Sequence, residues 1–272
     1  MKDFNYHSAK DSKEASKLAS SSSAFLAGGM TTIPSMKLGL ATYKDLIDIK
    51  NIKKLSGIKV SGKSVTIGAA TKHVEVSNSK DVKKAIPSLS SLAEGIGDPQ
   101  VRNRGTIGGS IANNDPSADY PSACIALNAT IHTNERKIEA AKFFKGMFET
   151  ALKKGELIEA IEFQIPEKSS YQKHPNPASR YAIVGVYVAK HKGDVNVAVT
   201  GAKSCVYNDK EMSKALSDNF SLSLIHISEP TRLLSISYAV FCLKKTGTKC
   251  SILIRKNIQN NLANCKGEKN HV

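Results

Sequence analysis

Two short glycine segments constrain this chain more than anything else in it. Residues 99–119 read Pro-Gln-Val-Arg-Asn-Arg-Gly-Thr-Ile-Gly-Gly-Ser-Ile-Ala-Asn-Asn-Asp-Pro-Ser-Ala-Asp. A run of small residues, Thr106, Ile107, Gly108, Gly109 and Ser110, lies between the basic Arg102 and Arg104 and the acidic Asp119. Paired glycines let backbone approach a ligand closely and adopt positive φ. Read as a turn, the run offers free N–H groups and the hydroxyls of Thr106 and Ser110 to phosphate oxygens. Asp119 is near enough in sequence to serve another part of the same ligand, such as a ribose hydroxyl. Taken alone, Gly-Gly-Ser is also a common turn.

Residues 26–34, Leu-Ala-Gly-Gly-Met-Thr-Thr-Ile-Pro, repeat the pattern after the apolar Ala24 and Phe25. A short apolar strand running into Gly28-Gly29 and then Thr31 and Thr32 is a second anion cradle. Two segments of similar composition point to one diphosphate held from both sides. Neither is a G-x-G-x-x-G opening a helix, and no G-x-x-x-x-G-K-[ST] occurs. Rossmann-type and P-loop binding are therefore set aside.

The residues then carry a specific resemblance. Ala27-Gly28-Gly29-Met30-Thr31-Thr32 followed by Asp45-Leu46-Ile47-Asp48-Ile49 resembles the first FAD-binding segment of the molybdenum hydroxylase flavoproteins. Gln100 to Ser110 with Asp115-Pro116 and Asp119-Tyr120-Pro121 resembles the second. Val65 to Ala69, Gly155 to Ile161 and Ala178 to Val186 extend the similarity in order to about Phe220. The chain is most similar to the medium, FAD-binding subunit of the aerobic carbon monoxide dehydrogenase and xanthine dehydrogenase family.

The resemblance implies an α+β chain with a two-subdomain PCMH-type FAD-binding fold, residues 1–53 and 54–166. Residues 167–221 would begin a sheet-plus-helix C-terminal domain that is cut short. By the same resemblance, FAD is held non-covalently between the subdomains. Ala27, Gly28, Gly29, Met30, Thr31 and Thr32 on one side, and Thr106, Ile107, Gly108, Gly109 and Ser110 on the other, would grip its pyrophosphate. Asp119 would reach the adenosine ribose, and Ile158 would make an apolar contact. Many relatives carry Asn where this chain has Ser110, a shorter donor. The implied role is electron transfer: a molybdopterin-containing large subunit oxidises the substrate, a 2Fe-2S small subunit relays electrons, and FAD passes them to an external acceptor. No catalytic side chain is expected. Tyr181 or Tyr187 could shield the isoalloxazine ring, and ordinary packing of an aromatic strand accounts for either equally well.

The 272 residues carry a formal net charge of +15, which raises a nucleic-acid reading. The cations are mostly single or paired lysines without an aromatic-interleaved stripe, the pattern of a solvated face. Docking to an acidic partner subunit is the better use of the charge. The N-terminus shows no apolar signal region, and no apolar run approaches the roughly 20 residues that span a bilayer. A cytoplasmic chain is expected. Cys124, Cys205, Cys242, Cys250 and Cys265 have no cluster spacing, so no metal site is expected. Cys124 and Cys205 read as buried thiols. His7, His73, His132, His174 and His191 are scattered and read as solvated or packing residues.

From Leu222 the character of the chain changes. Leu222 to Arg232 and Ile236 to Leu243 both back-translate to a transposase-type sequencing-library adapter. Residues 222–272 are therefore expected to be a non-native tail from adapter read-through, to be left out of fold reasoning.

Element by element, a helix is expected over about Ser12 to Ser20, and strand, loop, strand over 24–49. Val65 to Ala69 reads as a compact strand, and Thr71 to Ser77 leads from it toward a helix. Asp81 to Ile86 and Leu89 to Ile96 read as helical pieces divided by Pro87. Ala123 to Ala129 is an apolar stretch that the resemblance places as helix followed by strand, and Glu156 to Ile165 reads as a strand stopped by Pro166. Lys168 to Ser179, polar and Pro-containing, reads as a connector. Tyr181 to Lys190 and Val195 to Val206 read as a hairpin through Lys192-Gly193-Asp194, with a helix starting at Lys210. Two other functions stay open at this stage: a stand-alone flavoenzyme of the same FAD-domain superfamily, and a basic scaffold that binds nucleic acid.

Overall fold

The computed structural model describes residues 1–218; the segment read as adapter-derived lies outside the described residues. The chain folds around three sheets taken up in order. The first is small and wholly parallel. It runs β1 (Asn5–Ser8), α1 (Ser12–Leu18), β2 (Ser23–Leu26), α2 (Thr32–Lys37) and β3 (Asp45–Asp48), with strand order β1-β3-β2. Asp11 starts α1 by accepting the Glu14 amide at 2.8 Å, an N-cap that satisfies one of the helix's unpaired donors. The expected loop between β2 and β3 instead contains α2. Pro34 does not prevent this, because it sits in the first turn, where no intrahelical N–H bond is needed.

The second sheet is antiparallel, order β4-β5-β10-β6-β7. Its strands are β4 (Ile58–Ser61), β5 (Ser64–Gly68), β6 (Thr130–Thr133), β7 (Lys137–Glu139) and β10 (Ile158–Gln164). Val65 and Ile67 alternate into the core, as a half-buried strand requires. Between β5 and β6 come six short helices. They are α3 (His73–Asn78), α4 (Lys80–Ala85), α5 (Pro87–Glu94), α6 (Pro99–Arg104), α7 (Ile107–Asn113) and α8 (Tyr120–Ala126). Pro87 and Pro99 each open a helix, where a missing N–H costs nothing. A short α9 (Ala140–Phe143) and the small hairpin β8 (Phe144–Gly146), β9 (Glu149–Thr150) complete this part.

The third sheet, order β11-β12-β13-β14, corrects one expectation. The polar segment read as a connector is β11 (Lys168–Pro175), paired along its length with β12 (Ala182–Lys190). Its side chains are polar because it lies at the sheet's edge, so apolar periodicity could not reveal it. β13 (Val195–Thr200), β14 (Tyr207–Asn208) and α10 (Lys210–Asp218) follow. Alternate residues of β12 serve two cores. Tyr187 and Ala189 join the large core of the central sheet, while Val186 and Val188 pack toward Leu216 of α10. Each fully buried side chain of this size contributes about 2 kcal/mol. Cys124 is fully buried in the large core, whereas Cys205 is only half-buried.

Candidate functional site

The two glycine segments meet. The β2–α2 turn, residues 27–32, lies against the segment joining α6 to α7. A Cβ on Gly28 would stand 2.1 Å from the Arg104 carbonyl oxygen, so only glycine permits this approach. Gly108 is packed as tightly: its Cβ would meet the Ala69 Cβ at 2.5 Å. Gly29 has φ +74, in the left-handed region. A cleft of about 450 Å3 opens between the segments, within the range of small-molecule sites.

The second segment differs from its expected form. Thr106 to Ser110 is not a free turn but the cap and first turn of α7. Its amides are already used. Ile107 N–H donates to the Thr71 carbonyl at 3.1 Å and Gly108 N–H to the Ala69 carbonyl at 2.8 Å. Gly109 N–H donates to Thr106 Oγ1 at 3.2 Å, and Ser110 N–H to the Thr106 carbonyl at 3.1 Å. The donor surface lies elsewhere. Among the described residues, the amides of Gly28, Gly29, Met30, Thr31 and Thr32 make no intramolecular hydrogen bond. The side-chain hydroxyls of Thr31, Thr32 and Ser110 likewise make none. The first turn therefore supplies the donors, and the second supplies a close-packed glycine wall with one hydroxyl.

Of the residues singled out from sequence, Ala27 to Thr32, Thr106, Gly108, Gly109, Ser110, Asp119 and Ile158 line the cleft. Ile107 does not: its side chain is fully buried in the large core, and it fixes the start of α7 rather than contacting a ligand. Ile158 opens β10 and is 3% exposed. Asp119 precedes α8 and is 5% exposed. Its carboxylate accepts from the Tyr171 hydroxyl and, at 3.1 Å, from Lys173 Nζ. Burial lifts the Asp119 pKa above the usual carboxylate value, against the pull of Lys173 and Tyr171.

Several cleft residues were not foreseen. His73, at the start of α3, is 4% exposed and forms part of the wall, although its sequence gave no reason to separate it from the other histidines. Burial, with the Arg102 charge added, holds its pKa down at about 4. Its Nδ1 has no partner among the described residues. Glu156 is also on the wall. Desolvation opposes its charge, yet Arg136, the Lys153 amide and Thr133 hold its pKa at about 2. Tyr181 lines the cleft at 46% exposure, whereas Tyr187 is wholly buried with its hydroxyl 2.5 Å from Ser88 Oγ. Of the two aromatic candidates, only Tyr181 lines the cleft.

Comparison with known proteins gives the family. The model for the FAD binding domain in molybdopterin dehydrogenase matches residues 2–167. The glyceraldehyde dehydrogenase medium chain of Sulfolobus acidocaldarius is 36% identical over 225 residues, covering 78% of this chain and 80% of that one. The carbon monoxide dehydrogenase medium chain of Hydrogenophaga pseudoflava is 36% identical over 207 residues, 72% of this chain and 71% of its own. Among solved structures, reconstituted CO dehydrogenase from Oligotropha carboxidovorans aligns with a TM-score of 0.80 at 28% identity, over 89% of this chain and 98% of its own. Unpaired amides facing a glycine wall are a fitting cradle for a diphosphate, and with these matches the chain belongs to the FAD-binding subunits of the molybdopterin dehydrogenases.

Proposed function

We propose that this chain is the electron-transfer component of a three-part molybdenum hydroxylase. In this reading it receives electrons from a 2Fe-2S small subunit, itself supplied by a molybdopterin-containing large subunit, and passes them to an external acceptor. The observation that supports the proposal is the cleft itself: the free amides of residues 28–32 face a close-packed glycine wall across it, a cradle suited to a diphosphate. His73, on its wall, is held neutral by burial. FAD, when bound, supplies the redox chemistry, and the protein supplies binding, orientation and electrostatics.

The free amides of 28–32 and the hydroxyls of Thr31, Thr32 and Ser110 would donate to the pyrophosphate. Gly108 and Gly109 would let it lie against α7. Asp119 would accept a ribose hydroxyl, since each carboxylate oxygen has a second lone pair beyond those used by Tyr171 and Lys173. Ile158 would make apolar contact, and Tyr181 would cover the flavin ring. Residues 1–53 and 54–166 would form the two halves of the site, with 167–221 belonging to the C-terminal domain. A cytoplasmic location is part of the same reading; no helix of the described residues is long and apolar enough to cross a membrane.

The chain should be tagged and isolated from cells that also express its neighbouring genes. The expected product has flavin absorption, releases FAD on heating, and carries molybdopterin and 2Fe-2S subunits. Gly109→Ala should remain folded, because a Cβ there comes no nearer than 3.0 Å to Thr106 Oγ1. It should nonetheless weaken FAD binding about tenfold, roughly 1.4 kcal/mol, because the methyl fills the gap facing Ala27. A chain that is reduced directly by small substrates, with no other subunit present, would overturn the relay and favour a stand-alone flavoenzyme.

A further inference from the structure

One heavily committed charged group lies near the cleft without lining it. Lys173 lies on β11 with its side chain 10% exposed, and its ammonium meets three acceptors. Nζ is 2.8 Å from the Gly95 carbonyl at the end of α5, 3.1 Å from Asp119 Oδ2, and 3.0 Å from the Arg180 carbonyl. An ammonium has three donors, so all are spent. Tyr171, two residues earlier on the same strand face, donates to the other Asp119 oxygen and stacks on Tyr187 at 5.9 Å.

What this cluster holds is the loop between β11 and β12. Arg180 has φ +60, a conformation that bulky side chains rarely adopt and that persists only where surroundings enforce it. The loop is closed on itself by Arg180 N–H to the Asn176 carbonyl and Asn176 N–H to the Tyr181 carbonyl, both 2.8 Å. Lys173 adds the tie from the Arg180 carbonyl to the central helices. Ser179, Arg180 and Tyr181 then stand on the cleft wall. Two longer ties accompany that of Lys173, from the Arg180 guanidinium to the Gly97 carbonyl and from Ala182 N–H to the Ser117 carbonyl, both at 3.3 Å; the Lys173 contact is shorter, at 3.0 Å.

We propose that Lys173 is a positioning residue: its ammonium, clamped between Asp119, Gly95 and Arg180, latches the 176–181 loop of the C-terminal sheet onto the cofactor cleft. The latch ties the loop's place on the cleft wall to a cation that does not itself line the cleft. The inference rests on the FAD reading of the cleft for its consequence, but not for its geometry.

Two measurements on the full chain separate these. Amide hydrogen exchange without added FAD tests the latch. Lys173→Met should speed exchange at Asn176, Arg180 and Ala182 about tenfold, while the β10 amides keep their protection. Lys173→Arg preserves the charge opposite Asp119 but spreads its donors over a plane, so it cannot serve three convergent acceptors. It should loosen the same loop to a smaller extent, and it carries the test should the methionine variant not fold. Titration with FAD, read by flavin fluorescence, then tests the consequence: affinity should fall about tenfold in Lys173→Met, in parallel with the loosening. Unchanged loop exchange, or faster exchange spread equally through β10, overturns the latch. Faster loop exchange with unaltered FAD affinity overturns its coupling to the site. An unmutated chain that binds no FAD defeats the cofactor reading instead, and the exchange result still decides the latch.

Discussion

His73 and Glu156 face the same cleft and respond to acid in opposite chemical senses over different ranges. The His73 imidazole is kept neutral, with its pKa lowered from 6.5 to about 4. The unfolded chain therefore takes up a proton between those values that the folded chain refuses. Stability from this group is complete above pH 6.5 and is lost as pH falls toward 4, by about 3 kcal/mol in all. Glu156 is kept charged, its pKa lowered from 4.5 to about 2, so its contribution is lost only below pH 4.5. Urea unfolding across the upper window should show the His73 loss, and His73→Gln, which does not titrate, should flatten it. Glu156→Gln should leave the part of that window above pH 4.5 unchanged. A native curve already flat from pH 6.5 to 4 would mean the imidazole is not buried neutral. Neither role was legible in the sequence. His73 reaches the cleft because β5 ends beside α7, and Gly105 makes room for it: a Cβ there would lie 2.6 Å from His73 Nε2. Such a fit belongs to two distant segments together.

At the scale of elements, the glycine helix α7 is held at both ends. Thr106 caps its start, and Asn114 closes it in the left-handed conformation, φ +45. From there Asn114 reaches the β8–β9 hairpin: Nδ2 donates to the Gly146 and Glu149 carbonyls, both at 2.7 Å, and its own carbonyl accepts Phe148 N–H at 3.1 Å. Asn114 is 1% exposed, and its bonds run to a hairpin that is itself partly exposed. Asn114→Gly keeps the backbone conformation at little cost but removes both hydrogen bonds to the part-buried hairpin carbonyls. It should lower stability by about 1–3 kcal/mol. The β8–β9 amides should lose exchange protection before the rest of the chain; a hairpin as protected as in the native chain would show that Asn114 is not what holds it. Elements of this kind divide by whether their signal is local. Val65 to Ala69, the Pro87 break and the Lys192-Gly193-Asp194 hairpin were readable because periodicity or turn chemistry lies within the segment. α2 and β11 were not, since a six-residue helix carrying proline and a polar edge strand take their form from neighbours. The site shows the same division: glycine spacing identified the two walls, but the free amides fall on the first and not the second.

At the scale of the molecule, the recognisable part and the physical part end in different places. The family match stops at residue 167, yet the core it belongs to continues. Tyr187, Ala189 and Ala198 of the third sheet are fully buried in the same cluster as Ile67, Leu89 and Phe163. Polar ties run the same way. Thr200 Oγ1 lies 2.8 Å from both the Pro116 and the Ala118 carbonyl oxygens, shares its one proton between them, and so fixes the segment that carries Asp119. The third sheet thus completes the wall of α5 and α8 instead of standing beside it as a separate body. A fragment ending at Glu167 would expose those core faces and leave Asp119 without Tyr171 and Lys173. It should fail to melt cooperatively by calorimetry, and it should bind FAD far more weakly than the full chain. If that fragment instead melts in one sharp transition and binds FAD with undiminished affinity, the two glycine segments and the central sheet suffice. The third sheet would then act only after the cofactor is seated.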